Sequence, residues 1–135
     1  MTSKSFLETG PIIIGIDDAH NFFAQFSNGV MVSITQEVGV YLLRLLSIDF
    51  QYFRKEINAL IEKARIYERE KEVSPQEFPY DIIVKTALAS ERDHWIELSI
   101  PWLIQIGKEK FVKEIKDMQN NKKVSQRVRH LLLKL

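Results

Sequence analysis

The stretch Asp93-His94-Trp95-Ile96-Glu97-Leu98-Ser99-Ile100-Pro101-Trp102-Leu103-Ile104-Gln105-Ile106 constrains the fold of this chain more than any other. On a helical wheel, Trp95, Ile96, Ser99, Ile100, Trp102, Leu103, Ile104 and Ile106 cover one very broad face. His94, Glu97, Pro101 and Gln105 share the narrow remainder. A helix that is apolar nearly all round has neighbours on several sides. The stretch therefore predicts the central helix of a small α-helical domain. Pro101 removes one helical amide, but it falls on the polar side, where water satisfies the freed carbonyl; a kink is expected there rather than a break. Gly107 ends the helix.

The rest of the chain supplies neighbours for it. Asp17 or Asp18 can cap a short helix through Phe26, with Phe22, Phe23 and Phe26 on its apolar side and Gly29 as its stop. A helix from about Thr35 to Leu46 carries Val38, Tyr41, Leu42, Leu45 and Leu46 at helical spacing. Gly39 within it costs about 1 kcal/mol relative to Ala, a sign of close packing. A long helix over about 50–72 is marked by Phe50, Phe53, Ile57, Leu60, Ile61, Ala64 and Tyr67, with a polar end at Glu68-Arg69-Glu70-Lys71-Glu72. Ser74-Pro75-Gln76-Glu77 is a helix-start signal for a segment running to about Ala89. Ser90 or Asp93 caps the central helix. An amphipathic helix follows over 109–119, then a turn at 120–123 and a last helix over 124–135. Residues 1–9 read as a poorly ordered lead-in, and Gly10-Pro11 as a turn. Ile12–Ile16 is a strand or a buried extended arm, whose only visible partner is Val30-Met31-Val32.

These segments fit one domain of 135 residues, long enough for a core without staples. The expected fold is all-α: antiparallel helix pairs in a single domain over 1–135, with 1–16 as a lead-in or extended arm. A shift of 32 residues places Ile83 on Ile115, Thr86 on Met118, Ile96 on Val128, Ser99 on Leu131 and Ile100 on Leu132. Helix pair 76–89 and 91–106 thereby aligns with pair 108–119 and 124–135. Ser125-Gln126-Arg127-Val128-Arg129-His130-Leu131-Leu132 opens with a small polar cap, then the Val128-Arg129 pair, then an apolar run. That opening, and less closely Ser90–Ile106, resembles the second helix of HEAT-like helical repeats. The resemblance covers 76–135 and implies an α-α superhelix and an interaction scaffold. Helix 50–72 departs from the two-helix pattern, and the first 30 residues lie outside it.

Composition narrows function. The chain has no cysteine, hence no disulfide and no thiolate chemistry. No apolar run reaches the roughly 18 residues of a membrane span, and Met1–Phe6 lacks the apolar core of a secretory leader. The expected compartment is the cytoplasm, with no membrane association. Charge is unevenly spread. Residues 108–135 hold nine Lys/Arg against Glu109, Glu114 and Asp117, a balance of +6, whereas residues 1–107 hold ten Lys/Arg and fifteen Asp/Glu, a balance of −5.

Candidate chemistry is thin. Glu91-x-x-His94 has the spacing of half a carboxylate-bridged di-metal site, but neither His20 nor His130 completes it, so it reads as a solvated helix start. Asp17-Asp18-x-His20 suggests acid–base work and reads more simply as a helix cap. There is no nucleophile elbow and no Gly-rich phosphate loop. Trp95 and Trp102 share one side of the central helix, as an aromatic wall of a cleft or, in the favoured reading, as core. No catalytic residue, cofactor or metal is expected. The candidate interaction surface is Lys123, Arg127, Arg129, His130, Leu133 and Lys134. The simpler reading of its basic residues is an ordinary solvated face with cations at helix C-termini; Leu133 falls outside the apolar stripe, as a common exposed leucine or as the mark of a docking or dimer surface. The expected function is a non-enzymatic protein–protein interaction or adaptor module with an unknown protein partner and an open possibility of homo-oligomers; small immunity or adaptor proteins belong to that class. The alternatives are a nucleic-acid-associated protein using the basic C-terminal helices, and a small-ligand binder or enzyme with a site beside Trp95 and Trp102.

Overall fold

Residues 6–10, 12–17, 21–34, 36–67 and 78–135 are described by the computed structural model. Its first finding corrects the all-α expectation. Four strands, β1 (Phe6–Glu8), β2 (Ile12–Ile16), β3 (Phe22–Phe26) and β4 (Met31–Ser33), form an antiparallel sheet in the order β1-β2-β3-β4. The fold is mixed α and β. The expected helix through Phe26 is strand β3, part of the expected lead-in is strand β1, and Ile12–Ile16 pairs with β1 and β3 rather than with 30–32.

The reason is the period of the apolar residues. Register places Leu7, Ile14, Ala24 and Val32 in one row across the sheet, flanked by Ile12 opposite Phe26 and Ile16 opposite Phe22. Side chains alternate faces along a strand, so this one face collects Leu7, Ile12, Ile14, Phe22 and Ala24, all buried. The opposite row, Glu8, Ile13, Gln25 and Met31, is exposed or half-buried. Gly29, expected as a helix stop, instead closes the β3–β4 hairpin at φ +88°. Its amide donates to the Phe26 carbonyl, and Phe26 N–H donates to Val30 across the loop. A three-residue loop with a left-handed glycine is a common hairpin closure. Asn28 Oδ1 accepts the Val30 amide at 3.0 Å.

The chain divides into two compact units, 1–38 with 51–79, and 39–50 with 80–135. In the first, Phe78 is the aromatic hinge of the core. Its ring meets Phe22 of the sheet edge-on at 5.2 Å and Phe53 at 5.3 Å. Phe53 lies on helix α1 (Phe50–Tyr67), whose buried stripe continues through Ile57 and Leu60. The polar end at 68–72 and the start signal at 74–77 lie outside the described residues.

The second unit is helical. A 3-10 helix spans Gln36–Ser47 and contributes its buried Leu42, Leu43, Leu45 and Leu46. The surroundings of Gly39 lie outside what is described. Helices α2 (Tyr80–Ala89), α3 (Asp93–Ile106), α4 (Val112–Gln119) and α5 (Gln126–Leu133) follow, with a 3-10 turn at Lys108–Phe111. α2 packs on α3 and α4 on α5. Across the hairpins, α2 meets α4 and α3 meets α5. First helix therefore contacts first, and second contacts second. Gly107 ends α3 as expected, at φ +125°, with its amide donating to Leu103 O.

The centre of this unit is Trp102, 1% exposed. Its ring lies 5.2 Å from Phe50 and 6.3 Å from Tyr80, both edge-on. Its Nε1–H donates to the Ile48 carbonyl at 2.9 Å. A buried indole N–H needs such an acceptor. Ile96, Ser99 and Leu103 are buried with it, and the Ser99 hydroxyl is satisfied by the Ile96 carbonyl at 2.6 Å. Pro101 is exposed on the polar side.

Candidate interaction surface

Four polar contacts, made to three carboxylates, join the loop and first turn of the α2–α3 hairpin to those of the α4–α5 hairpin. Asn121 Nδ2 donates to Glu91 Oε2 at 2.6 Å, and Lys123 Nζ stands 3.7 Å from the same carboxylate. Ser125 N–H donates to Asp93 Oδ1 at 3.0 Å. Arg127 Nη1 donates to Glu97 Oε2 at 2.9 Å. Each contact spans 30 or 32 residues of chain, the spacing of the internal alignment.

Local structure aims each group. Glu91 occupies the α2–α3 turn at φ +61°, a left-handed conformation uncommon outside glycine. Ser90 Oγ accepts the Arg92 amide in that turn. Asp93 opens α3, but its carboxylate reaches across to Ser125 and no side chain caps the helix. Ser125 is itself the N-cap of α5, accepting Val128 N–H at 3.2 Å. One serine thus donates its amide to the first hairpin and starts the second helix of the next.

The electrostatics follow. The Asn121 hydrogen bond and the Lys123 charge hold the Glu91 carboxyl below its ordinary range. The Ser125 amide does the same for Asp93, and the Arg127 guanidinium for Glu97. Glu97 in turn raises Arg127. Glu97 and Arg127 are exposed and Glu91 and Asp93 half-buried at the surface, so each contact is individually weak.

These contacts reassign several candidates. Glu91 is engaged with Asn121 and Lys123, while His94 is exposed and rests edge-on against Trp95 at 4.7 Å. Among the described residues, no group of three His, Asp or Glu side chains is placed to hold a metal ion. Asp17 Oδ1 accepts the Asn21 amide in the β2–β3 loop rather than capping a helix; Asp18 and His20 lie outside the described residues. Trp95 is half-buried and Trp102 fully buried, so the two tryptophans differ in environment. Among the described residues, no helix is long and apolar enough to cross a membrane.

The basic set divides in the same way. Lys123 and Arg127 are held by Glu91 and Glu97. His130, Leu133 and Lys134 are exposed along the outer side of α5, with Leu133 at 63%. Arg129 is half-buried, and its Nε finds no hydrogen-bond partner. No family model, no curated protein and no solved structure matches the chain. Sequence reasoning missed Asp93, Glu97, Asn121 and Ser125 as a set. The 32-residue shift was the available signal, since it places Asp93 on Ser125.

Proposed function

We propose that this chain is a non-enzymatic protein–protein interaction module that works in the cytoplasm, with HEAT-like helix pairs over 76–135 and α5 as its docking element. The observation that carries the reading is Leu133. It stands 63% exposed on a helix otherwise lined by His130, Lys134 and Arg127, beside an apolar stripe already satisfied by Val128 and Leu132. An apolar side chain held in water within a charged rim is the composition of a small interface centre. Stacking of α2 on α4 and of α3 on α5 supports the repeat-like reading, as does the tying of their loops by Glu91, Asp93 and Glu97. Such ties present α5 on a preorganised platform, which lowers the ordering cost of binding.

Affinity capture from native extract at low and moderate salt, with and without nuclease, tests this. The expected result is one protein recovered in stoichiometric amount, insensitive to nuclease, and lost with His130→Ala/Leu133→Ser/Lys134→Ala. Recovery that vanishes with nuclease would replace this reading with nucleic-acid binding. A captured protein indifferent to the triple substitution would remove α5 from the account.

A further inference from the structure

Resting on the interaction reading, one flank of α5 identifies the chemistry of its partner. Helical residues advance by about 100°. Arg127 faces α3, since it bonds Glu97 there. Leu131, about 40° from Arg127, is half-buried toward the same side. Arg129 lies about 160° around from Arg127, and Leu133 about 120°, so these two stand one turn apart on the flank turned away from α3.

Arg129 and Leu133 together have an incomplete chemistry. Arg129 is half-buried, and its Nε is closed off from solvent without an acceptor. Among the described residues, no carboxylate pairs with Arg129, Lys113, Lys116 or Lys134. A guanidinium with uncompensated charge favours a carboxylate. One turn along, Leu133 offers an apolar contact of a single side chain. Carboxylate and apolar group one turn apart are what an acidic amphipathic helix presents, at i and i+3 or i+4.

Other occupants fit the charge less well. A second copy across a two-fold axis at this flank would bring the uncompensated Arg129 and Lys134 charges of both copies together, a like-charge contact. A nucleic acid would cover Leu133 with phosphates. Phe111 is the last Phe, Tyr or Trp of the chain and is buried, so α5 offers none of these rings for base stacking. We therefore infer that the Arg129–Leu133 flank of α5 docks an acidic amphipathic helix of a partner protein.

The test uses the full chain and a fluorescent synthetic helical peptide with Glu and Leu repeating at i, i+3, i+4 and i+7. Binding is read by anisotropy at two salt concentrations. The expected result is saturable binding that weakens about tenfold or more in Leu133→Asp and in Arg129→Glu, is unchanged in Lys85→Glu on α2, and is absent for the same peptide with Lys for Glu. Circular dichroism and thermal unfolding check each variant. Should Arg129→Glu fail to fold, Leu133→Ser and Leu133→Asp decide, because Leu133 is exposed. No binding of the acidic peptide, or equal binding by the Leu133 variants, overturns the inference. So does a dimer by sedimentation that Leu133→Asp disperses, or a DNA or RNA duplex that displaces the peptide with a steeper salt dependence. If a partner captured from extract is retained by Leu133→Asp and Arg129→Glu yet lost with His130→Ala/Lys134→Ala, the interaction reading stands and this flank falls.

Discussion

The sheet of the first unit and the paired hairpins of the second are held together by different means. In the sheet, three loop bonds close their own turns. Thr9 bonds Ile12, Asp17 bonds Asn21, and Asn28 bonds Val30. Longer-range cohesion comes from rings, with Phe78 seated between Phe22 and Phe53. In the helical unit, loops bond loops 30 or 32 residues away, at Glu91, Asp93 and Glu97. The sheet therefore depends on shape in its core. The helical pairs depend on a core and also on charge at their rim, which adds a dependence on pH and salt.

The largest effects belong to the two aromatic centres. Trp102→Ala is expected to destabilise the helical unit by about 3–5 kcal/mol, from cavity formation and the orphaned Ile48 carbonyl, read by denaturant unfolding. Phe53→Ala is expected to cost a similar amount in the first unit, about 3–5 kcal/mol. A much smaller loss at either site would mean that its ring is not the centre described. Trp102→Phe should retain most packing and lose the Ile48 bond, costing about 1–3 kcal/mol.

Next come two glycines that separate the regions at the backbone. Gly29 and Gly107 both have positive φ, so an added side chain is strained at each. Nothing lies within 4 Å of a Cβ at Gly29, whereas one at Gly107 would stand 2.6 Å from Glu109 Oε1. Glu109 is a flexible surface side chain and can move, so both Ala variants should cost about 1–3 kcal/mol, with Gly107→Ala the larger. Thermal unfolding orders them. A reversed order would put the greater conformational demand in the hairpin.

The smallest effect is the most discriminating. The Glu91, Asp93 and Glu97 carboxyls are held below their ordinary values. A depressed folded-state value contributes stability that is complete above the unfolded value and is lost as pH falls through the folded one. The ordinary values are 4.5 for Glu and 3.8 for Asp. Acidification below about 4.5 should thus loosen the loop contacts, and Glu97→Gln with Asp93→Asn should flatten that dependence.

The helical unit was legible from sequence because its signals are local and redundant. Gly107 as a stop, Ser125 as a cap, Pro101 on the wet side and the stripe of Val128 and Leu132 each act within one or two turns. The sheet was obscured because Phe22, Phe23 and Phe26 satisfy a helical period as readily as a strand. The deciding clue was Asn28-Gly29, a hairpin dipeptide, and the Ile12–Ile16 run, which needs neighbours on both sides. At the candidate surface, the exposed Leu133 followed from the helical wheel. The pairing of Arg127 with Glu97 and the isolation of Arg129 did not, because both depend on which flank of α5 meets α3.

Residue-resolved hydrogen exchange at neutral pH and again well below pH 4.5 tests most directly whether polar loop contacts couple the two hairpins. Val128 on α5, Ile96 on α3, and Ile14 and Ala24 in the sheet are the reporters. The expected result is joint loss of protection at Val128 and Ile96 on acidification, removed by Asp93→Asn/Glu97→Gln, with Ile14 and Ala24 unchanged. Equal loss in sheet and helices, or loss at Val128 without Ile96, would contradict the coupling.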